Sequence, residues 1–222
     1  KTEIIKYPEG KKDLKEYVIT ERITSIRENS FYESNNLIIY TNSNSEGHRY
    51  AEEYEQAYVI DDEGPTVTFT PNGSNNPKKG YTVKVNVEDN QEVVGVNEES
   101  LKYLWTQSEE VPTKESFEES LKNGQDITKN TGDGIWYLWV YSKDNLDNEK
   151  ITRSEGFYID NTAPSVNVEY STKNPTNKNV KVTITANEEI QSIEGWTLSS
   201  DKNTLIKEYS ENTKETIVVK DI

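Results

Sequence analysis

The sequence predicts an all-β chain of tandem β-sandwich repeats, and three observations carry that expectation. A ten-residue phrase recurs: residues 58–67 read YVIDDEGPTV and residues 157–166 read FYIDNTAPSV, 99 positions later. Ile60, Asp61, Pro65 and Val67 fall without a gap on Ile159, Asp160, Pro164 and Val166. A period of that length can close its own core, so it implies a string of small domains. Second, short alternating runs are separated by turn residues at roughly ten-residue spacing, which favours a sandwich over strand–helix–strand units. Third, 14 Tyr, 4 Trp and 4 Phe accompany a hydrophobic fraction of only 32%. That is too aromatic for a disordered chain and suits thin cores under wide polar surfaces.

The elements follow in order. One period before Trp136-Tyr-Leu-Trp139 stands Leu37-Ile-Ile-Tyr40, so residues 1–62 are expected to be the C-terminal part of a repeat. A separate small β domain is the alternative. Residues 63–161 are expected to form a complete sandwich. Within them Thr66-Val-Thr-Phe69 alternates and stops at Pro71-Asn-Gly73, a strand and a turn. Tyr81, Val83, Val85 and Val87 alternate with polar residues, the period of a half-buried strand. Leu101 to Thr106 gives a third strand, with Trp105 as a candidate for the centre. Ser116-Phe-Glu-Glu119 reads as a capping box before Phe117 and Leu121, with Gly124 as a stop, and predicts one short helix.

The strongest strand signal is IWYLWVYS at residues 135–142, turned by Asp144-Asn-Leu-Asp-Asn148 and followed by a last strand to Ile159. Residues 162–222 start the pattern again. Val166 and Val168, then Val180, Val182 and Ile184, repeat the first two strands, and Trp196 and Leu198 stand near the third. Residues 205–209 are another strand candidate. Residues 216–221 match 139–144 at their shared Lys-Asp ending, and no counterpart of the last strand follows. The chain therefore reads as a window from a longer array, with at most one short helix per repeat.

There is no Cys, which excludes disulfides, thiolate metal sites and cysteine nucleophiles. There is no Met either, as expected of a mature or excised segment. No apolar run reaches the ~18 residues of a membrane span and no signal peptide is visible, so no membrane insertion is expected. The net charge of −15, from 40 acidic and 25 basic residues, repels phosphate backbones and argues against nucleic acid. His48 is the only histidine and sits in a polar, turn-like stretch, which leaves little for a Ser-His-Asp triad. Walker and Rossmann glycine patterns are absent. No enzyme activity is expected.

The phrase from Gly134 to Asn145, GIWYLWVYSKDN, followed by Asn148, resembles a conserved-looking strand and turn of bacterial Ig-like repeats of Gram-positive surface and secreted proteins. Ile159-Asp-Asn-Thr-Ala-Pro164 resembles the joint between such repeats, and Asn174-Pro-Thr with Gly195-Trp-Thr-Leu198 another variant of them. The likeness departs at Leu146-Asp-Asn148, where the family usually has Ala-Gly-Asn, and at residues 44–49. It implies immunoglobulin-like sandwiches with short Pro-containing joints, at a cell surface or cell wall or in a secreted protein, and no catalytic residues. It also admits a covalent Lys–Asn or Lys–Asp link beside a buried acid.

Two constellations are candidates for function. Asp61, Asp62 and Glu63 crowd one joint, Asp160 and Asn161 the other, and Asp144 and Asp147 the turn between strands. Such hard oxygen donors could bind calcium, though turn chemistry alone also calls for Asp and Asn. Tyr137, Trp139 and Tyr141 share one face of the aromatic strand, either as an exposed platform for a host or cell-wall glycan or protein, or as a face covered by neighbouring elements. The function expected is a non-catalytic extracellular stalk or adhesin segment, with neighbouring repeats as its partners, that holds a distal domain away from the envelope. The alternatives are a binding module beside a secreted glycan-degrading enzyme or peptidase, and a structural subunit of a surface layer, filament or phage particle.

Overall fold

The computed structural model describes residues 2–4, 15–31, 34 and 36–222. It is mostly β, with one α-helix among the described residues. Its contacts divide the chain into two compact units. The first runs to Tyr158 apart from Pro77–Lys79 and Thr131–Asp133, which belong with Ile159–Ile222 in the second.

The first unit opens on β1 (Thr2–Ile4), β2 (Glu16–Ile19), β3 (Ile23–Ile26), β4 (Ile38–Thr41), α1 (Glu46–Glu53) and β5 (Ala57–Ile60). Among the described residues all pairing here is parallel: β1 with β3, β2 with β4, and β4 with β5. Partners such as Glu16 and Ile38, or Ile38 and Ala57, lie roughly 20 positions apart, the rise of one coil in a stacked-coil architecture. Ile19, Ile26, Phe31, Leu37, Ile39, Tyr50 and Ala51 fill the stack. Helix α1 is capped by Ser45, whose hydroxyl accepts from His48 N, and Arg49 ion-pairs with Glu46 and Glu53 on its outer face. Gly47 faces inward. A Cβ there would lie 2.5 Å from Thr41 Oγ1, so the helix reaches the sheet only because that atom is absent.

This parallel pairing departs from the sandwich repeat expected for residues 1–62, for which a separate small β domain is the alternative. An apolar run such as Leu37–Tyr40 fits a parallel strand covered on both faces as well as it fits a sandwich strand. The polar stretch around His48, expected as a turn, is the helix.

Two sheets follow. Strands β6 (Thr66–Thr70), β7 (Ser74–Lys78), β8 (Tyr81–Glu88), β9 (Lys102–Thr106), β10 (Glu119–Ser120), β11 (Asp126–Lys129), β12 (Gly134–Lys143), β13 (Glu149–Arg153) and β14 (Phe157–Ile159) run in chain order. One sheet is ordered β11-β8-β6, the other β10-β9-β12-β14-β7 with β13 also on β12. Strand β8 keeps its alternation: Tyr81, Val83, Val85 and Val87 are buried and the residues between them are not. The sheets meet where Tyr81 and Trp105 pack on Phe157, at ring separations of 5.1 and 5.7 Å.

The helix expected at residues 116–124 is not formed. A 3₁₀ turn at Lys114–Ser116 leads into β10 instead. Phe117, 1% exposed, packs with Trp139 and Tyr141, and that burial flattens the segment onto the sheet against its local capping signal.

The second unit carries β15 (Val166–Tyr170), β16 (Val180–Ala186), β17 (Thr197–Leu198) and β18 (Thr204–Tyr209) in the order β15-β16-β18-β17. Val182, Ile184, Ala186, Ile190 and Leu205 form its core, with Trp196, Ile217 and Val219 against them. Residues 216–221, which match 139–144 at their ending, form no strand and lie across the core, joined by a bridge from Asp221 to Ile190.

Candidate functional site: a buried carboxylate cluster

Asp61 follows β5 directly. Its N–H donates to Thr41 O at 3.0 Å, which extends the parallel ladder by one residue into the joint. Its Oδ1 accepts from Glu63 N at 3.2 Å. Asp144 follows β12 and closes a tight turn, with Oδ1 accepting from Leu146 N (2.9 Å) and Asn148 N (2.8 Å) and Oδ2 from Asn148 Nδ2 (2.7 Å). Asp89 follows β8, and its Oδ1 accepts from Gln91 N at 2.8 Å. Each residue does the ordinary work of Asp at a strand end. The fold then brings all three together, with one carboxylate oxygen from each within 4.8 Å of the others.

Two of the three carboxylates are deeply buried and Asp89 is half-buried. Asp61 is 2% exposed and Asp144 is fully buried, with Asn42 beside them at 3%. Asn42 Nδ2 donates to Asp61 O and, at 2.7 Å, to Asn148 Oδ1, while Asn148 Nδ2 donates to Asp61 O at 3.0 Å. Three oxygens are left over: Asp61 Oδ2, Asp89 Oδ2 and Asn42 Oδ1 are buried and accept no hydrogen bond. Among the described residues no Lys or Arg pairs with any of the three carboxylates. At this spacing each pair of like charges repels by about 3–4 kcal/mol at an effective dielectric of 20. Burial raises the Asp89 carboxyl above its ordinary range, and the charges of Asp61 and Asp144 push it further. Burial likewise raises Asp144, against its hydrogen bonds from Asn148 and Leu146, with Asp61 adding to the rise.

The cluster lies where the coil stack meets the two sheets. Leu146, fully buried, inserts beside Tyr40 and Val94, with Val18, Ile38 and Val59 around them. Arg22 forks onto both oxygens of Asp147 at 2.8 Å.

Of the candidate calcium donors, the structure unites Asp61 and Asp144 and separates the rest. Asp62 is exposed and accepts from Ser43 N, and Glu63 is exposed. Asp147 is committed to Arg22 and to Lys143 at 2.8 Å, and those cations hold its carboxyl below its usual range, Arg22 first. Asp160 caps Thr162 N, and Asn161 N donates to Asp133. Lys143, beside the buried acid, pairs with Asp147 and Glu149 and not with an Asn. Asp89 escaped the sequence reading because it looks like an ordinary strand-ending turn.

The aromatic platform needs a correction. Trp139 is 3% and Tyr141 5% exposed, and Tyr137 is half-buried. Phe117, Leu104 and Ile151 cover that face, Trp139 Nε1 donates to Thr106 Oγ1, and the Arg153 guanidinium lies 4.8 Å from the Tyr137 ring centre. These rings are packing, not a surface for a glycan.

No family model, no curated protein and no solved structure matches this chain. Among the described residues no helix is long and apolar enough to cross a membrane.

Proposed function

We propose that this chain is a non-catalytic, stiff segment of a bacterial extracellular surface protein, a stalk or adhesin piece that spaces or presents a distal domain. The observation that carries the reading is the joint at residues 61–65. It is short, Asp61 and Pro65 are buried, and Leu146 locks the coil stack to the sheets on its far side. Rigid spacing needs joints of this kind in place of a flexible linker.

The strand order supports an immunoglobulin-like assignment for residues 63–161. One sheet, β11-β8-β6, follows the E-B-A order, and the other, β10-β9-β12-β14-β7, follows C′-C-F-G-A′. A tandem arrangement is supported by the second unit. Val67 pairs with Val87 in the first unit, and the residues 99 positions later, Val166 and Ala186, pair in the second. The backbone bond from Asn97 N to Lys143 O has its counterpart in Gln191 N to Lys220 O.

The test is orientational. Residual dipolar couplings from the coil stack and from residues 66–158 should fit one alignment tensor, and two independent tensors would overturn the spacer reading. Antibody raised to the segment should label intact, unpermeabilised source cells.

A further inference from the structure

We propose that Asp61, Asp89 and Asp144 bind a calcium ion, with Asn42 Oδ1 as a fourth protein oxygen. The proposal stands whether or not the segment is a stalk.

The site rests on two independent observations. One is the convergence of three carboxylate oxygens within 4.8 Å. The other is the set of orphaned acceptors there: Asp61 Oδ2 and Asn42 Oδ1 are buried without a donor, on side chains 2% and 3% exposed. Unpaired buried acceptors are rare in folded chains, and a cluster of them on acidic groups asks for a cation.

The donor set selects the ion. It holds only carboxylate and amide oxygens, which suits a hard cation. Calcium takes about 6–8 oxygens in flexible geometry, whereas magnesium keeps several waters and is held by one or two carboxylates, so a cluster of three carboxylates and an amide oxygen suits calcium.

The experiment is calorimetric titration of the chelator-stripped chain with CaCl2, in parallel with thermal melts. One site and a raised melting temperature are expected, with at least tenfold weaker binding of MgCl2. D89N should weaken the site tenfold or more, and D147N should leave it unchanged. Circular dichroism shows whether each variant keeps its fold, and unfolding of D89N without calcium that is reversed by calcium also supports the site. No heat and no melting shift at 10 mM CaCl2, or unchanged binding by D89N, overturns the proposal. Equal affinity for magnesium overturns the choice of ion.

Discussion

Residues 66–158 and residues 166–221 open on the same antiparallel pair of strands and close on the same kind of bridge, yet they bury those strands differently. Phe69 on β6 is 7% exposed, whereas Val166, Val168 and Tyr170 on β15 stand at 45, 40 and 50%. In the first case a six-stranded sheet faces β6 and β8. In the second, the cover is the 211–219 segment, and an open groove of about 690 Å³ remains between it and the sheet. Strand sequence fixes which side chains alternate. Whether the apolar row is buried depends on a second layer with a ladder of its own.

The comparison can be broken at its strongest point. Leu138→Ala, in the fully buried centre of β12, should cost about 2–5 kcal/mol in the first unit. Urea denaturation followed by Trp fluorescence and hydrogen exchange should show the first unit weakened and the second unchanged. In the coil stack, Gly47→Ala should cost about 1–3 kcal/mol because its Cβ meets Thr41 Oγ1 and Ile19. Destabilisation by an otherwise helix-favouring change would confirm that close approach, and a stabilised variant would refute it. In the second unit, Val168→Ala should stay within about 0.5 kcal/mol, since its side chain is already well exposed. A loss as large as that of Leu138→Ala would mean that the groove is closed in solution.

The smallest effect is confined to acid. The Asp147 carboxyl is held low in the folded chain by Arg22 and then Lys143. A depressed carboxyl adds stability above the ordinary Asp range, near pH 4, and loses it as pH falls through the depressed value. Asp147→Asn should therefore lower the urea midpoint at pH 7 slightly and flatten its decline below about pH 4. An identical slope in both proteins would exclude the Arg22–Asp147 contact from the joint's acid sensitivity.

The parts legible in the sequence were those where local pattern and tertiary environment agree. Tyr81, Val83, Val85 and Val87 alternate in the sequence and in the fold, because one face of β8 meets the core and the other meets solvent. Asp61 and Asp144 stood out because acids beside a joint and in a strand-closing turn are visible one at a time. Asp89 became a partner only through the level at which β8 ends, which no spacing encodes. Residues 116–124 failed for the opposite reason: the capping signal was present, but Phe117 is stabilised by roughly 1.5–3 kcal/mol when buried against Trp139 and Tyr141. Leu146 read as a departure from a family pattern, and the fold gives it a task, filling the space beside Tyr40.

The bonds around Asp61 also define a load path. Its N–H is tied to Thr41, and its carbonyl accepts from both Asn42 and Asn148. A pull that separates the coil stack from the sheets cannot peel these bonds one after another. It loads the contacts that cross to the sheet turn together, Asn42 and Asp61 on Asn148, Arg22 on Asp147 and Tyr40 on Leu146, so the joint yields at a threshold and does not stretch gradually.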